Sequence, residues 1–117
     1  MNPVPKYRFD RMVREALDDL PDELHHVLDN VVVQVVDRHP AERDLLGLYE
    51  GVPHTERTGQ EGPDVVSIYR LALCEMCDDL DDLADEVYVT VIHEVAHAAG
   101  IDTTASTNSA GAEPDRR

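Results

Sequence analysis

The residues best equipped for chemistry are His93, Glu94 and His97, in the stretch VIHEVAHAAG from Val91 to Gly100. On a helix, residues four apart lie just over one turn apart. Both imidazoles then leave the same face and can grip a single metal ion, with Glu94 about 100° round the helix from His93. Two neutral imidazoles suit Zn²⁺, which keeps a position open for water, lowers its pKa to around 7 and polarises a carbonyl. Glu94 is placed as the general base that takes the water's proton and passes it to a leaving amine. The plainer reading is three polar residues on a solvated helix face. Val89, Ile92 and Ala96 border the two histidines and argue against it, and Gly100, third after His97, matches the glycine of the longer H-E-x-x-H-x-x-G pattern. Thr90 and Glu86 fall near the face of His93, where either could accept an imidazole N–H or stand as exposed surface.

A helix carrying such a site needs a scaffold, and the chain has little to spare. Its 117 residues make one domain with one hydrophobic core. Ten Lys+Arg against 25 Asp+Glu give a formal net charge of -15, which repels phosphate backbones and anionic membranes and excludes nucleic-acid binding as an expectation. Aromatic residues are 4% and Trp is absent, so the core is aliphatic. No apolar run approaches a membrane span, and MNPVPKYRFD has no apolar segment of the signal-peptide kind. With two cysteines and no disulfide framework, the expected location is the cytoplasm.

Tyr7 to Leu20 carries Phe9, Met12, Val13, Ala16, Leu17 and Leu20 at helical spacing, and PDELHHVLDN reads as a short helix burying Leu24, Val27 and Leu28. Val31 to Val36 is valine throughout except for Gln34, which predicts a central strand buried on both faces. Leu45 to Glu50 reads as a second strand with Gly47 inside it, and Val65 to Tyr69 as a third. Between them residues 51–64 form a long polar loop, a candidate site rim. If Val65 to Tyr69 is an edge strand beside the site helix, an extended peptide could pair with it. Arg70 to Cys77 looks helical. The last element is a long helix from about Asp79 to Ala99, started by Asp78, Asp79, Asp81 and Asp82 at the positive end of its dipole. Its expected buried stripe is Leu80, Leu83, Ala84, Val87, Val91, Val95 and Ala99, which should override the strand propensity of VYVTVI. Residues 103–117, small and polar with nothing to bury, read as a disordered tail after a domain over 1–102.

Other signals are weaker. Cys74 and Cys77 form a lone C-x-x-C away from a helix N-terminus, with no second pair for a zinc ribbon, and read as one buried small residue and one half-exposed thiol. His25 and His26 diverge by about 100° and read as surface. The acidic run from Asp78 to Asp85 lacks calcium-loop spacing. An oxyanion needs a donor, and His54, Arg57, Tyr49 and Tyr69 all stand on loop or strand ends that could supply one.

The blocks NVVVQV, LLGLYEG, TER, PDVVSIYR and TVIHEVAHAAGID, in this order and spacing, resemble the small bacterial zincin-like metallopeptidase family, over Tyr7 to Asp102. The resemblance implies an α+β fold, a compact zincin-like single domain with a small mixed sheet packed on the active-site helix. It also implies Zn²⁺ held by His93 and His97, with an acidic third ligand from an H-E-x-x-H-x-x-G-x-x-D pattern. Here that Asp position is Thr103, and the nearest carboxylate, Asp102, stands one residue earlier. Asp102 could reach the metal through a one-residue adjustment of the turn, Thr103 could hold a water there, or the site could rest on two histidines. Zinc's preference for carboxylate over a neutral hydroxyl favours Asp102.

The expected function is a zinc-dependent metallopeptidase acting on peptide or unfolded protein, alone or with an activating protein partner. The alternative is a catalytically impaired zinc-binding or protein-interaction module on the same scaffold. A third reading, an acidic interaction partner in which H-E-x-x-H is coincidental, expects no metal.

Overall fold

The structure, a computed structural model, describes residues 1–51 and 62–101 and the backbone of 115–116. Helix α1 (Lys6–Asp18) is entered from Pro5 and buries Phe9, Val13 and Ala16 at spacings of four and three, one apolar stripe turned inward. After Pro21, helix α2 (Asp22–His25) is a single turn, and a 3₁₀ segment (His26–Asn30) leads into strand β1 (Val31–Val36). Strands β2 (Gly47–Glu50) and β3 (Asp64–Tyr69) follow, then helix α3 (Arg70–Met76), helix α4 (Leu80–Ala98) and the two-residue strand β4 (Asp115–Arg116).

The mixed sheet has the order β1-β3-β2-β4. Strand β1 runs parallel to β3, while β2 lies antiparallel to β3 on its other side, with Gly47 opposite Ile68 and Tyr49 opposite Val66. The main core lies on one face of this sheet. There Val66 and Ile68 meet Phe9 and Val13 of α1 and Leu83, Val87, Val91 and Val95 of α4. A smaller cluster of Leu45, Leu48, Tyr69 and Ala72 packs elsewhere on the molecule, with Leu48 and Ser67 paired across β2 and β3. The architecture is the expected α+β single domain, and among the described residues no helix is long and apolar enough to cross a membrane.

Three expectations are corrected. Strand β1 is not central: it stands at the sheet's edge, where Val31, Val33 and Val35 pack on the core while Val32 is 46% exposed. A valine run that looks doubly buried is half-buried at Val31, Val33 and Val35 and exposed at Val32 and Gln34 between them. The central place belongs to β3, flanked on both sides, so it offers no edge to an incoming peptide. Its Val66, Ser67, Ile68 and Tyr69 are all buried. Cys77 is buried alongside Cys74, because the chain turns extended after Met76 and carries the thiol into the core.

Helix α4 forms through the β-branched VYVTVI as the periodicity requires, since packing of a helical stripe outweighs a propensity difference below about 1 kcal/mol per residue. Asp79 caps it, its carboxylate accepting from the Asp82 N–H at 2.8 Å, with Asp81 and Asp82 in the first turn. The buried stripe departs from the expected one: Ala84 and Ala99 are exposed, whereas Thr90, Glu94 and Ala96 are buried. Both α1 and the β2–β3 side of the sheet contact α4, which widens the buried arc beyond a single stripe. Strand β4 pairs with β2 through the backbone, Leu48 opposite Arg116 and Tyr49 opposite Asp115, a pairing that side-chain composition does not encode.

Candidate metal centre

The last turns of α4 bring His93 and His97 side by side, their ring centroids 4.5 Å apart and their planes inclined by 46°. Both rings are half-buried, which separates them from a solvated surface pair. Glu94 is different in kind: its side chain is 0% exposed. The Nε2 of His93 and both carboxylate oxygens of Glu94 are enclosed atoms. A carboxylate withdrawn from water is costly unless something repays its lost hydration, and such groups concentrate at functional sites.

Strand β2 supplies the wall against which Glu94 lies. Gly47 sits on the helix-facing side of the sheet, opposite Ile68. A Cβ added there would meet Thr90 Cγ2 at 2.7 Å, Glu94 Cγ at 3.3 Å and Glu94 Oε2 at 3.4 Å. Two residues along the same side, the Tyr49 hydroxyl donates to Asp64 Oδ2 at 2.8 Å, and Asp64 is itself buried. A Cβ at Gly51 would run into that pair.

The helix ends one residue past the second imidazole, at Ala98, and the chain then closes a turn. The Gly100 N–H donates to the His97 carbonyl at 2.9 Å and the Ile101 N–H to the Ala96 carbonyl at 2.9 Å, with Gly100 at φ +83°. This paired pattern with a left-handed glycine is the Schellman C-cap, and it turns the chain sharply off the helix axis. The glycine that matches the H-E-x-x-H-x-x-G pattern is the residue that takes the left-handed backbone.

Asp102 and Thr103 lie outside the described residues, as do His54, Arg57 and the tail read as disordered apart from the backbone of β4. Among the described residues no group of three or more His, Cys, Asp and Glu side chains converges as a metal site. The two imidazoles are nevertheless donors that zinc accepts, and the enclosed His93 Nε2 is a nitrogen of the kind that ligates it. Thr90, expected beside His93, is buried with Glu94 against Gly47. Of the other oxyanion candidates, Tyr49 shares the helix-facing side with Gly47, while Tyr69 packs with Leu45, Leu48 and Ala72. Burial, countered by a bond with Ser67 and reinforced by the charges of Glu50 and Glu94, pushes the Tyr69 phenol above its usual range.

Sequence reasoning missed the two residues that shape this wall, Gly47 and Asp64. For Gly47 the signal was present, since a glycine inside a strand marks close backbone approach. Asp64 gave none, reading as the end of a polar loop.

A helix bearing two imidazoles and a buried glutamate, laid across a small mixed sheet, defines a metallopeptidase-like architecture. The comparisons agree: the model of the zincin-like metallopeptidase family matches residues 28–108, and the chain belongs to that family. A conserved hypothetical protein from T. thermophilus shares the fold at a TM-score of 0.56 and 21% identity, over 82% of this chain and 94% of that one. No curated protein matches the chain.

Proposed function

We propose that the protein is a zinc-dependent metallopeptidase that hydrolyses peptide bonds, with His93, His97 and Asp102 as metal ligands and Glu94 as general base. The observation that carries this reading is the fully buried Glu94 carboxylate, adjacent in sequence to His93 and enclosed together with its Nε2. Zinc, when bound, would supply a water of lowered pKa and a Lewis acid for the scissile carbonyl. Glu94 takes the proton of the attacking water on a carboxylate oxygen and delivers it to the leaving amine. The wall of β2 and the helix exclude bulk water from that carboxylate, which strengthens its pull on the proton. The substrate class is peptide or unfolded protein in the cytoplasm, with an activating partner as a further expectation.

A second reading, a zinc-binding or protein-interaction module without turnover, is favoured by one feature, Thr103 at the family's aspartate position. Metal content by mass spectrometry on untagged, chelator-free protein separates the two together with a peptide-cleavage assay. The peptidase reading expects one zinc per chain, lost in His97→Ala and weakened in Asp102→Asn, and cleavage that falls by about 10²-fold or more in Glu94→Gln with zinc retained. Unchanged cleavage in Glu94→Gln sinks it. Stoichiometric zinc without cleavage in the wild type supports the binding module.

A further inference from the structure

We propose that Gly47 is the positioning residue for Glu94: by bringing no side chain to the helix-facing side of β2, it lets the strand close on Thr90 and hold the Glu94 carboxylate in one orientation. The inference rests on the reading of Glu94 as general base for its purpose, though not for its geometry.

A glycine inside a strand is disfavoured by roughly 0.5–1 kcal/mol relative to alanine unless something requires it. Backbone conformation does not require it here, since among the described glycines only Gly100 has a positive φ. Space does. Gly100 and Gly62 have open surroundings where a Cβ would sit, whereas at Gly47 three atoms of Thr90 and Glu94 lie within 3.4 Å. The nearest, Thr90 Cγ2 at 2.7 Å, belongs to a fully buried β-branched side chain, which is stiff about χ1 and has no room to swing away. Thr90 and Glu94 are one helical turn apart, so a methyl at position 47 presses on both at once. It must separate β2 from α4 or turn the carboxylate, and either outcome displaces the oxygen that has to meet a proton.

The contact also explains the order of the two buried polar groups. Thr90 is the stop against which the strand rests, and Glu94 is the group held beyond it. Removing the Thr90 methyl while keeping its hydroxyl, as Thr90→Ser does, leaves Glu94 Cγ at 3.3 Å as the nearest atom to an added Cβ, a contact that a shift of a few tenths of an ångström relieves. Thr90→Ser is therefore a specific suppressor of Gly47→Ala.

The test uses the full chain and two readouts. In metal-free protein carrying ¹³C-labelled glutamate, the Glu94 carboxyl resonance, assigned by its disappearance in Glu94→Gln, is compared among wild type, Gly47→Ala and Gly47→Ala/Thr90→Ser. In zinc-loaded protein, kcat and KM for peptide cleavage are measured on the same three. Positioning expects the resonance to move in Gly47→Ala and return in the double variant. It also expects kcat to fall by about 100-fold, the scale of a 1 Å misplacement, with KM and zinc content kept and with recovery in the double variant. A Glu94 resonance that stays in place in folded Gly47→Ala overturns the proposal. If Gly47→Ala does not fold, Gly47→Ala/Thr90→Ser carries the test, because there the added methyl meets Glu94 Cγ at 3.3 Å and no longer Thr90 Cγ2 at 2.7 Å: a folded double variant with the Glu94 line at its wild-type place supports the clamp, and a double variant that also fails to fold, or that folds with the line displaced, overturns it. A wild type that cleaves no peptide while the resonance behaves as stated defeats the peptidase reading and leaves the positioning intact.

Discussion

Two short motifs of metal-competent side chains sit in this chain, His93-Glu94-Val95-Ala96-His97 on α4 and Cys74-Glu75-Met76-Cys77 at the end of α3, and the fold treats them in opposite ways. The helix continues through the first, so its two rings stand side by side at 4.5 Å, with the buried Glu94 between them in sequence. It stops inside the second: Cys77 is extended, at φ -101° and ψ 151°, so the two thiols share no helical face. Both thiols are buried, and the Met1 ammonium donates to the Cys74 and Cys77 carbonyls at 3.3 and 2.8 Å, closing that helix end. A neutral thiol enters a core as a small apolar group and needs no further reason to be there. A carboxylate does need one. Burial therefore separates the motifs more sharply than spacing does.

The largest effects that could break this contrast come from exchanging stability for chemistry at the two motifs. Glu94→Gln replaces a fully buried carboxyl by an amide of the same size, so the fold should stay within about 1 kcal/mol of wild type while cleavage falls by about 10²-fold or more. Cys74→Ala/Cys77→Ala should do the reverse, losing about 2 kcal/mol of stability through two small core cavities and leaving zinc content and cleavage unchanged. Urea unfolding of both variants beside the cleavage assay checks the pair. Zinc lost from the double cysteine variant would mean that the C-x-x-C motif serves the metal after all.

Much of this was legible in the sequence because it is periodic. The apolar spacing of Phe9, Val13 and Ala16, and of Leu83, Val87, Val91 and Val95, is a local property, and each helix forms where that spacing runs. The order of strands is not local. Nothing in VVVQVV says whether a second strand lies on each side of it, so the edge position of β1 and the central one of β3 appear only in the assembled sheet. The site divides in the same way. His93, Glu94 and His97 announce themselves by type and spacing, whereas Gly47 is 47 residues from Glu94 along the chain and meets it only because β2 lies under α4. Asp64 is buried by the Tyr49 hydroxyl across two strands.

A smaller effect sharpens the contrast from the turn that closes α4, next to His97. Gly100, at φ +83°, has nothing within 4 Å of a Cβ, so alanine there meets no clash and only backbone strain. Gly100→Ala should cost about 1–2 kcal/mol, the usual difference for a left-handed non-glycine residue. If the chain beyond the cap brings Asp102 to the metal, zinc affinity should fall as well, and isothermal titration against Gly100→Ala and Asp102→Asn measures both. Loss of stability with unaltered affinity would detach the cap from the metal centre.

The smallest effect is alkaline and belongs to the cysteine side. Burial, then the charges of Glu86 and Asp82 and the neighbouring Cys74, push the Cys77 thiol above its ordinary value of 9.0. As pH rises past that value the unfolded chain releases the proton first, so the folded chain holds more protons and stability falls with pH. The contribution is intact below the ordinary value and is lost as pH climbs through the raised one. Tyr69, also raised, adds a slope of the same sign above its ordinary value of 10.0. Unfolding midpoints in urea between about pH 8 and pH 11 should therefore decline in wild type, with the first part of the decline absent in Cys77→Ala. An identical decline in that variant would assign the whole slope to other groups, and the buried thiol would then be neutral in the energetic sense as well as the chemical one.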